Sequence, residues 1–119
     1  MARILSISYD ESLLTTRQLM LESQGHQVSS ALGFTKALAL CQKDGHDFVI
    51  VGHSIPHDDK LALINEIRHH CKAPVLALKK TTEPPVEEAD HNLDFTQQPE
   101  QFLAFVKSAL AQRGRPGSA

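Results

Sequence analysis

The chain switches repeatedly between short apolar runs and longer stretches in which apolar residues recur every three or four positions. The short runs predict five strands, at residues 3–8, 26–30, 47–51 and 74–79 and around Leu93 and Phe95. The longer stretches predict helices over residues 11–24, 34–43, 59–71 and 99–112. Regular alternation of strand and helix is typical of a parallel sheet with helices on both faces.

The run DFVIV at residues 47–51 is apolar on both faces, which predicts a strand in the middle of the sheet. With five strands, the pattern favours an α/β fold, a doubly wound parallel sheet in the flavodoxin-like order 2-1-3-4-5. Residues 81–90, TTEPPVEEAD, could add a short fourth helix, although two prolines leave little room for a long one. We expect one domain over residues 1–112 and a flexible tail over residues 113–119.

Composition and charge narrow the class of partner. In 119 residues the net charge is −2, which gives no electrostatic case for binding nucleic acid or a membrane surface. Cys41 and Cys71 lack metal-type or redox-type spacing, and the first apolar run is too short for a signal peptide or a membrane span. We therefore expect a cytoplasmic protein with protein partners, no cofactor and no metal.

The fold class indicates where a functional site should lie. In a sheet of this order, ligands bind beyond the carboxyl ends of the first and third strands. Residues 8–11 follow the first strand, and Gly52 and His53 follow the third. Gly52 stands directly at the strand exit and has no side chain, so the most exposed position of the expected site carries no chemistry of its own.

Five stretches of the sequence succeed one another as the landmarks of a known family do. They are RILSISYDESLL, ESQGHQV, DFVIVGHSIPHDD, KAPVLALK and EADHNLDFTQQPEQFL. In this order and spacing the chain resembles, over residues 2–112, the receiver domain of response regulators in two-component signalling. The resemblance implies transfer of a phosphoryl group from a kinase histidine to a receiver aspartate, beside a divalent cation bound by acidic neighbours.

The residues that would accept the phosphoryl group and hold the cation are replaced in this sequence. The acceptor aspartate matches Gly52, and the acidic pair after the first strand matches Ser8 and Tyr9. Glycine offers no nucleophile, and a serine and a tyrosine are poor substitutes for the carboxylates that Mg²⁺ prefers. Phosphotransfer at the family's usual place is therefore not expected.

Three further positions depart from the family's pattern. The small hydroxyl residue that ends the fourth strand matches Lys79, and the lysine that ends the fifth strand matches Phe95. Phe95 cannot stabilise a transferred phosphoryl group, which needs a cation. The aromatic residue that reports phosphorylation matches Asn92. Together these departures predict a pseudo-receiver, a degenerate receiver domain that is not an enzyme.

Two charged residues near Gly52 allow more than one interpretation. Asp10 could move toward the pocket and restore one metal ligand, or it could serve only as an acid at a helix start. Lys79 could place its ammonium in the pocket and pair with Asp10 or Asp58, which would lock one conformation without a signal. The alternative is a solvated loop lysine, since lysines are rarely buried.

The histidines near the third strand raise the question of a metal. His53 and His57 flank Ser54, Ile55 and Pro56, and histidines so close to acidic residues could bind zinc. However, the proline indicates a loop rather than the helix on which this spacing has meaning. Chance clustering is the simpler interpretation, and we predict no metal ligand.

Two functions remain open from the sequence. The first is an interaction module that docks on a kinase or another regulator, or self-associates, through its fourth helix, fifth strand and fifth helix. That face spans residues 83–112 and includes Glu87, Glu88, Asp90, Asn92, Gln97, Gln98 and Gln101. The second is a small-molecule or metal sensor that uses the altered pocket between the first and third strands, lined by Tyr9, His53, His57 and Lys79.

Overall fold

The fold is a five-stranded parallel sheet with helices on both faces. The computed structural model describes residues 2–43, 45–94 and 99–113. Its strands are β1 (Arg3–Ser8), β2 (Gln27–Leu32), β3 (Phe48–Val51), β4 (Val75–Lys79) and β5 (His91–Asp94). Its helices are α1 (Glu11–Glu22), α2 (Phe34–Cys41), α3 (His57–His70) and α4 (Pro99–Arg113). The strand order is β2-β1-β3-β4-β5, which confirms the predicted order and fold class.

Alternating side chains of the strands form two hydrophobic cores, one on each face of the sheet. One core joins the sheet to α2 and α3 and includes Val49 and Leu63. The other joins the sheet to α1 and α4 and includes Ile50, Leu21 and Phe102. All four residues of β3 are buried, as expected of a strand covered on both faces.

The connection between β4 and β5 differs from its prediction. Residues 80–90 form turns and no helix, so the predicted short helix at residues 81–90 is wrong. Pro84 and Pro85 remove two backbone donors, and the chain has only this short span in which to return to the sheet. Val86 is fully buried in the core under this connection, and it anchors the loop in the place of a helix.

Two cations from α3 fasten this loop. Near the loop's start, the Lys60 ammonium donates a hydrogen bond to Glu83 over 2.8 Å. Near its end, Arg68 Nη2 lies 2.8 Å from Asp90 Oδ2, and the same oxygen accepts the backbone N–H of Val75 at 2.7 Å. The loop is therefore held to α3 and β4 by polar contacts at both ends.

The fifth strand begins earlier than the pattern around Leu93 indicates. It runs from His91 to Asp94 and pairs with β4 alone, so it is an edge strand. Phe95, predicted on this strand, lies outside the described residues. None of the described helices is both long and apolar enough to cross a membrane.

Candidate functional site

The carboxyl ends of β1 and β3 lie side by side, and Gly52 is the first residue beyond β3. Its backbone N–H donates to the carbonyl oxygen of Ile7 over 2.9 Å, which continues the sheet by one residue. A Cβ atom added to Gly52 would lie 2.9 Å from that same oxygen and 3.2 Å from Nη1 of Arg17. Gly52 therefore lacks a side chain and also lacks room for one, because the Ile7 backbone and the Arg17 side chain occupy the space that an acceptor residue would need.

The side chain that closes this space is Arg17, which comes from the middle of α1. Arg17 is only 8% exposed, and its helical position between the buried Leu14 and Leu21 directs it inward. Its Nη1 atom is buried and has no hydrogen-bond partner among the residues that the structure describes. Burial lowers the pKa of Arg17, yet a guanidinium stays protonated in proteins, so a positive charge lies beside Gly52.

Hydroxyl groups lie at the carboxyl ends of β1 and β3, where the resemblance had implied acidic residues. Ser8 Oγ and Ser54 Oγ are 3.0 Å apart and share a hydrogen bond, and Ser54 Oγ accepts the backbone N–H of Tyr9 at 3.1 Å. Ser8 Oγ also accepts the N–H of Asp10 at 3.0 Å. These contacts tie the loop after β1 to the loop after β3 and use the hydroxyls in doing so.

The hydrogen bonds of Tyr9 and Asp10 do not favour a metal-binding role for either residue. The Tyr9 hydroxyl donates to Asp59 Oδ2 over 3.1 Å, and burial followed by this carboxylate raises the pKa of Tyr9. Asp10 is exposed, and its carboxylate accepts the N–H of Leu13 at 3.0 Å as the N-cap of α1. The structure thus supports the helix-start interpretation of Asp10. In the described part of the chain, no group of three or more His, Cys, Asp or Glu residues is placed to hold a metal ion.

Two other site residues that the sequence predicted, Lys79 at the end of β4 and Asn92 in β5, bond to the loop between these strands. The Lys79 ammonium donates to the carbonyl oxygens of Lys80 at 3.4 Å and Glu83 at 3.2 Å. The proposed pairing of Lys79 with Asp10 or Asp58 is therefore wrong. Asn92 Nδ2 donates to the carbonyl oxygen of Val86 at 2.9 Å, and Asn92 Oδ1 accepts the Val86 N–H at 2.8 Å. Asn92 thus holds the loop, whereas Phe95 lies outside the described residues.

An internal ion pair does exist, but it belongs to Lys60. The Lys60 side chain is 0% exposed, and its Nζ donates to the carbonyl oxygen of Leu78 and to Glu83 Oε2, each at 2.8 Å. His57 Nδ1 lies 3.3 Å from the same Glu83 oxygen. Burial lowers the pKa of Lys60, and the Glu83 carboxylate opposes that change.

Glu83 is held in its ionised form. Burial of this carboxyl acts to raise its pKa, but hydrogen bonds from the Lys60 ammonium and the Lys80 backbone outweigh burial, and the pKa is lowered. The backbone N–H of Lys80 donates to Glu83 Oε1 over 3.2 Å. Both carboxylate oxygens are therefore bonded, and the pair locks the β4–β5 loop onto α3.

The sequence analysis missed Arg17, Lys60 and Glu83. A signal for the first two was present, because each lies on the apolar stripe of its helix. Arg17 stands three residues after Leu14, and Lys60 stands three residues before Leu63. A charged residue on a buried stripe indicates either a partner or a functional charge. Glu83 lies in an irregular loop and gave no such signal.

Two cavities flank the carboxyl end of β3, and His53 lines both. The first, of about 320 Å³, lies between α1, α4 and the ends of β4 and β5. Its lining residues are Leu13, Thr16, Arg17, Met20, His53, Leu78, Leu93, Asp94, Pro99 and Phe102. The second, of about 310 Å³, is lined by residues 53–57 with Lys80 and Glu83. Tyr9 and Lys79, which were expected to line a sensor pocket, line neither of these cavities.

The electrostatics of this region are cationic. Burial, and then the positive charges of Arg17, Lys60 and Lys80, lower the pKa of His53, so its imidazole is neutral at neutral pH. The second cavity is lined by Ser54 and two histidines, but the Ser54 hydroxyl is bonded to Ser8 Oγ and to the N–H of Tyr9. The geometry can bind an anion or present a fixed surface, and Gly52, the position that the sequence analysis matched to the phosphoryl acceptor, has no side chain to accept a group.

Comparison with solved structures places this architecture among receiver domains. The chain is similar to a CheY-like response regulator receiver domain from Methanospirillum hungatei JF-1, at 17% identity and TM-score 0.82, with 95% of this chain and 96% of that chain covered. It is similar to Vibrio cholerae chemotaxis protein CheY4, at 24% identity and TM-score 0.76, with 91% and 98% covered.

A third similar structure contains a kinase. It is that of histidine kinase ThkA in complex with response regulator protein TrrA, where one chain matches at 20% identity and TM-score 0.77, with 91% of this chain and 97% of that chain covered. At identities this low, the likeness establishes the CheY-like receiver fold. No protein-family model matches the sequence, and no curated protein does.

Proposed function

We propose that this chain is a non-phosphorylatable, receiver-like domain that acts as a protein–protein interaction module in bacterial two-component-type signal transduction. The observation that carries the proposal is the closed position of Gly52. A receiver fold needs a carboxylate there to accept a phosphoryl group, and here a Cβ atom would meet the Ile7 carbonyl oxygen at 2.9 Å. The domain is proposed to have no catalytic activity.

The surroundings of Gly52 support the proposal a second time. Ser8 and Ser54 bond each other and the neighbouring backbone, so no pair of carboxylates is available to hold a divalent cation at that place. The Arg17 guanidinium lies against Gly52, where it would repel a metal ion. Without a phosphoryl acceptor or a cation site, the domain is proposed to signal through the contacts that its surface makes with other proteins.

The partner is proposed to be a signalling protein, either a kinase or another regulator, or a second copy of the chain. A related fold is found in a complex with a histidine kinase, which makes such a partner a reasonable expectation. In the docking face proposed from the sequence, the loop of residues 80–90 takes the place of a helix, and Gln97 and Gln98 lie outside the described residues. The face then comprises this loop, β5 and α4, with Glu87 and Glu88 exposed at its rim.

Phosphorylation is tested by amide-resolved NMR of the purified domain with magnesium and beryllofluoride, which mimics a phosphorylated aspartate. We expect no saturable shift at residues 8–11, 52–59 or 79, because no acceptor carboxylate stands at the site. Acetyl phosphate with mass spectrometry gives an independent measurement, with no added phosphoryl group expected. A saturable beryllofluoride shift centred on another carboxylate would overturn the non-phosphorylatable part of the proposal.

Docking is tested by charge reversal on the rim of the proposed face. Glu87→Lys combined with Glu88→Lys should weaken binding to histidine kinases of the source organism, or weaken self-association, by about tenfold. The matched control is Glu11→Lys with Glu22→Lys, which makes the same charge change at exposed positions of α1. If both pairs weaken binding equally, charge alone matters and the face is wrong. If neither a kinase nor a second copy binds the unaltered domain, the docking proposal fails.

A further inference from the structure

The cavity between α1 and α4 combines a buried cation with apolar walls. Arg17 is 8% exposed and lines the cavity beside Leu13, Leu78, Leu93 and Phe102. Among the described residues it makes no hydrogen bond or ion pair, and its Nη1 atom is buried without a partner. A guanidinium without a hydrogen-bonding partner is costly inside a protein, so its retention at this place calls for a complementary group.

We infer that this cavity binds a small monocarboxylate with an apolar body, and that Arg17 anchors the carboxylate. The planar fork of a guanidinium matches the two oxygens of a carboxylate, which is the strongest hydrogen-bonding arrangement that a single arginine can form. The leucine and phenylalanine side chains provide the surface for the apolar body. The inference goes beyond the docking function and does not depend on it, because it concerns a cavity and not the outer face.

The volume of the cavity sets the size of the ligand. At about 320 Å³ it lies near the lower end of the range for sites that take small organic molecules. An aryl-acetic or branched aliphatic acid fits that range, whereas a nucleotide or a flavin does not. The apolar walls also favour a ligand that buries carbon atoms over a bare inorganic anion.

The charges around the cavity set the charge of the ligand. Arg17 is the cation in its lining, and Asp94 also lines it, with its carboxylate accepting a hydrogen bond from Thr81 Oγ1 at 2.7 Å. Burial and the neighbouring cations lower the pKa of His53, which keeps the third titratable group of the lining neutral at neutral pH. One negative charge is balanced by Arg17, but a dianion such as phosphate would carry a second charge toward Asp94.

Gly52 explains how the cation reaches this place. Because the residue after β3 has no side chain, Nη1 of Arg17 can lie where a Cβ atom would come within 3.2 Å of it. Gly52 thus lacks the carboxylate that would accept a phosphoryl group, and it leaves room for the positively charged guanidinium of Arg17. A carboxylate on Arg17 would contact the end of β3 from the α1–α4 side, so its arrival would be transmitted to the amides of Gly52 and His53.

The test is an NMR titration of the full chain with phenylacetate at matched ionic strength, following the Arg17 Nε–H signal and the amides of Gly52, Leu78 and Leu93. We expect saturable shifts with a dissociation constant on the order of 1 mM or tighter. Phenylacetamide, which has the same body and no charge, and inorganic phosphate should each bind at least about tenfold more weakly.

Variants separate the anchor from general charge and from the cavity. Arg17→Met should weaken phenylacetate binding at least about tenfold, whereas Lys107→Gln removes one positive charge from an exposed position of α4 and should leave binding unchanged. Leu13→Trp keeps Arg17 and fills the cavity, so it should also abolish binding. No saturable shift with phenylacetate, equal binding of phosphate, or undiminished binding by Arg17→Met would each overturn the inference.

Discussion

Two buried cations approach the carboxyl edge of the sheet from opposite faces, and they differ in the contacts that they make. Lys60 reaches in from α3 and finds the Leu78 carbonyl oxygen and the Glu83 carboxylate, each at 2.8 Å. Arg17 reaches in from α1, and its Nη1 atom has no partner among the described residues. One cation fastens a loop, and the other lies beside Gly52 with no hydrogen bond from its Nη1 atom to any described residue. A buried charge on an apolar stripe can therefore serve structure or remain available for binding.

The difference follows from what each cation meets. Lys60 meets the carbonyl oxygen of Leu78 in β4 and the carboxylate of Glu83 in the β4–β5 loop. Arg17 faces the end of β3 and a cavity whose walls are mainly apolar, and the N–H of Gly52 beside it is already bonded to the Ile7 carbonyl oxygen. A paired buried charge contributes little beyond an apolar residue, but it is costly to break, whereas an unpaired one carries its desolvation penalty permanently. The predictions below test this asymmetry.

The largest expected effect comes from removing the partner of Lys60. Glu83→Gln leaves a fully buried ammonium without a carboxylate, and we expect the free energy of unfolding to fall by about 3 kcal/mol. Urea denaturation followed by circular dichroism measures this change. Glu87→Gln, in the same loop but exposed, is the matched control and should change stability by less than about 0.5 kcal/mol. Equal effects of the two variants would mean that the Lys60–Glu83 contact does not form.

The next effect tests the closed space on the Arg17 side. Gly52→Ala should lower the free energy of unfolding by about 2 kcal/mol, because the new methyl group meets the Ile7 backbone oxygen at 2.9 Å and backbone cannot easily move away. In an Arg17→Met background most of this cost should remain. If Arg17→Met removes it, the arginine and not the backbone closes the space. If Gly52→Ala costs nothing, the space is open and an acceptor residue could stand there.

The two cations also show how far the sequence could predict this molecule. The alternation of apolar runs and amphipathic stretches predicted the strands and helices, and the usual order of a five-stranded doubly wound sheet then predicted the strand order that the structure has. Gly52 could be placed at the end of β3 for the same reason. The positions of Arg17 and Lys60 on the apolar stripes of their helices were visible as well. Such a position indicates that a side chain points into the protein, but it does not identify the atom that the side chain contacts.

The role of Glu83 could not be predicted from the sequence pattern. It belongs to a loop whose path is set by Val86 entering the core, by Asn92 bonding Val86 and by Asp90 pairing with Arg68. These contacts do not follow the periodicity of a helix or a strand, and the one between Arg68 and Asp90 joins residues 22 positions apart in the chain. The acids and the threonines of residues 81–90 favoured a helix start locally, and tertiary contacts determined a loop instead. The same limit explains why the sequence analysis considered Lys79, and not Lys60, for an internal ion pair.

A smaller effect, of opposite sign, distinguishes the cations directly. Arg17→Met should raise the free energy of unfolding by about 1 kcal/mol, because it replaces a buried guanidinium, which makes no hydrogen bond to the described residues, with an apolar chain of similar length. Lys60→Met should lower it, because Glu83 then loses its partner. Both are measured by urea denaturation without added ligand. Stabilisation by both variants, or by neither, would mean that the two cations are in equivalent environments.

The smallest effect is a dependence on pH that only the paired cation should show. Burial acts to raise the pKa of Glu83, but hydrogen bonds from Lys60 and Lys80 outweigh burial and lower this pKa in the folded state below its ordinary value of 4.5. A lowered pKa in the folded state adds stability above the unfolded value, and this stability is lost as pH falls through the folded one. The stability difference between the unaltered chain and Glu83→Gln should therefore narrow on acidification from about pH 5 to pH 3.

The control for this measurement is the other cation. A guanidinium keeps its proton throughout this range, so the difference between the unaltered chain and Arg17→Met should stay constant while the Glu83→Gln difference narrows. Comparing each variant with the unaltered chain at every pH cancels the carboxyl groups that titrate in both proteins. A constant Glu83→Gln difference would mean that Glu83 gains nothing from Lys60 in the folded state. An Arg17→Met difference that changes with pH would mean that an acidic group does pair with Arg17, and the contrast between the two cations would then disappear.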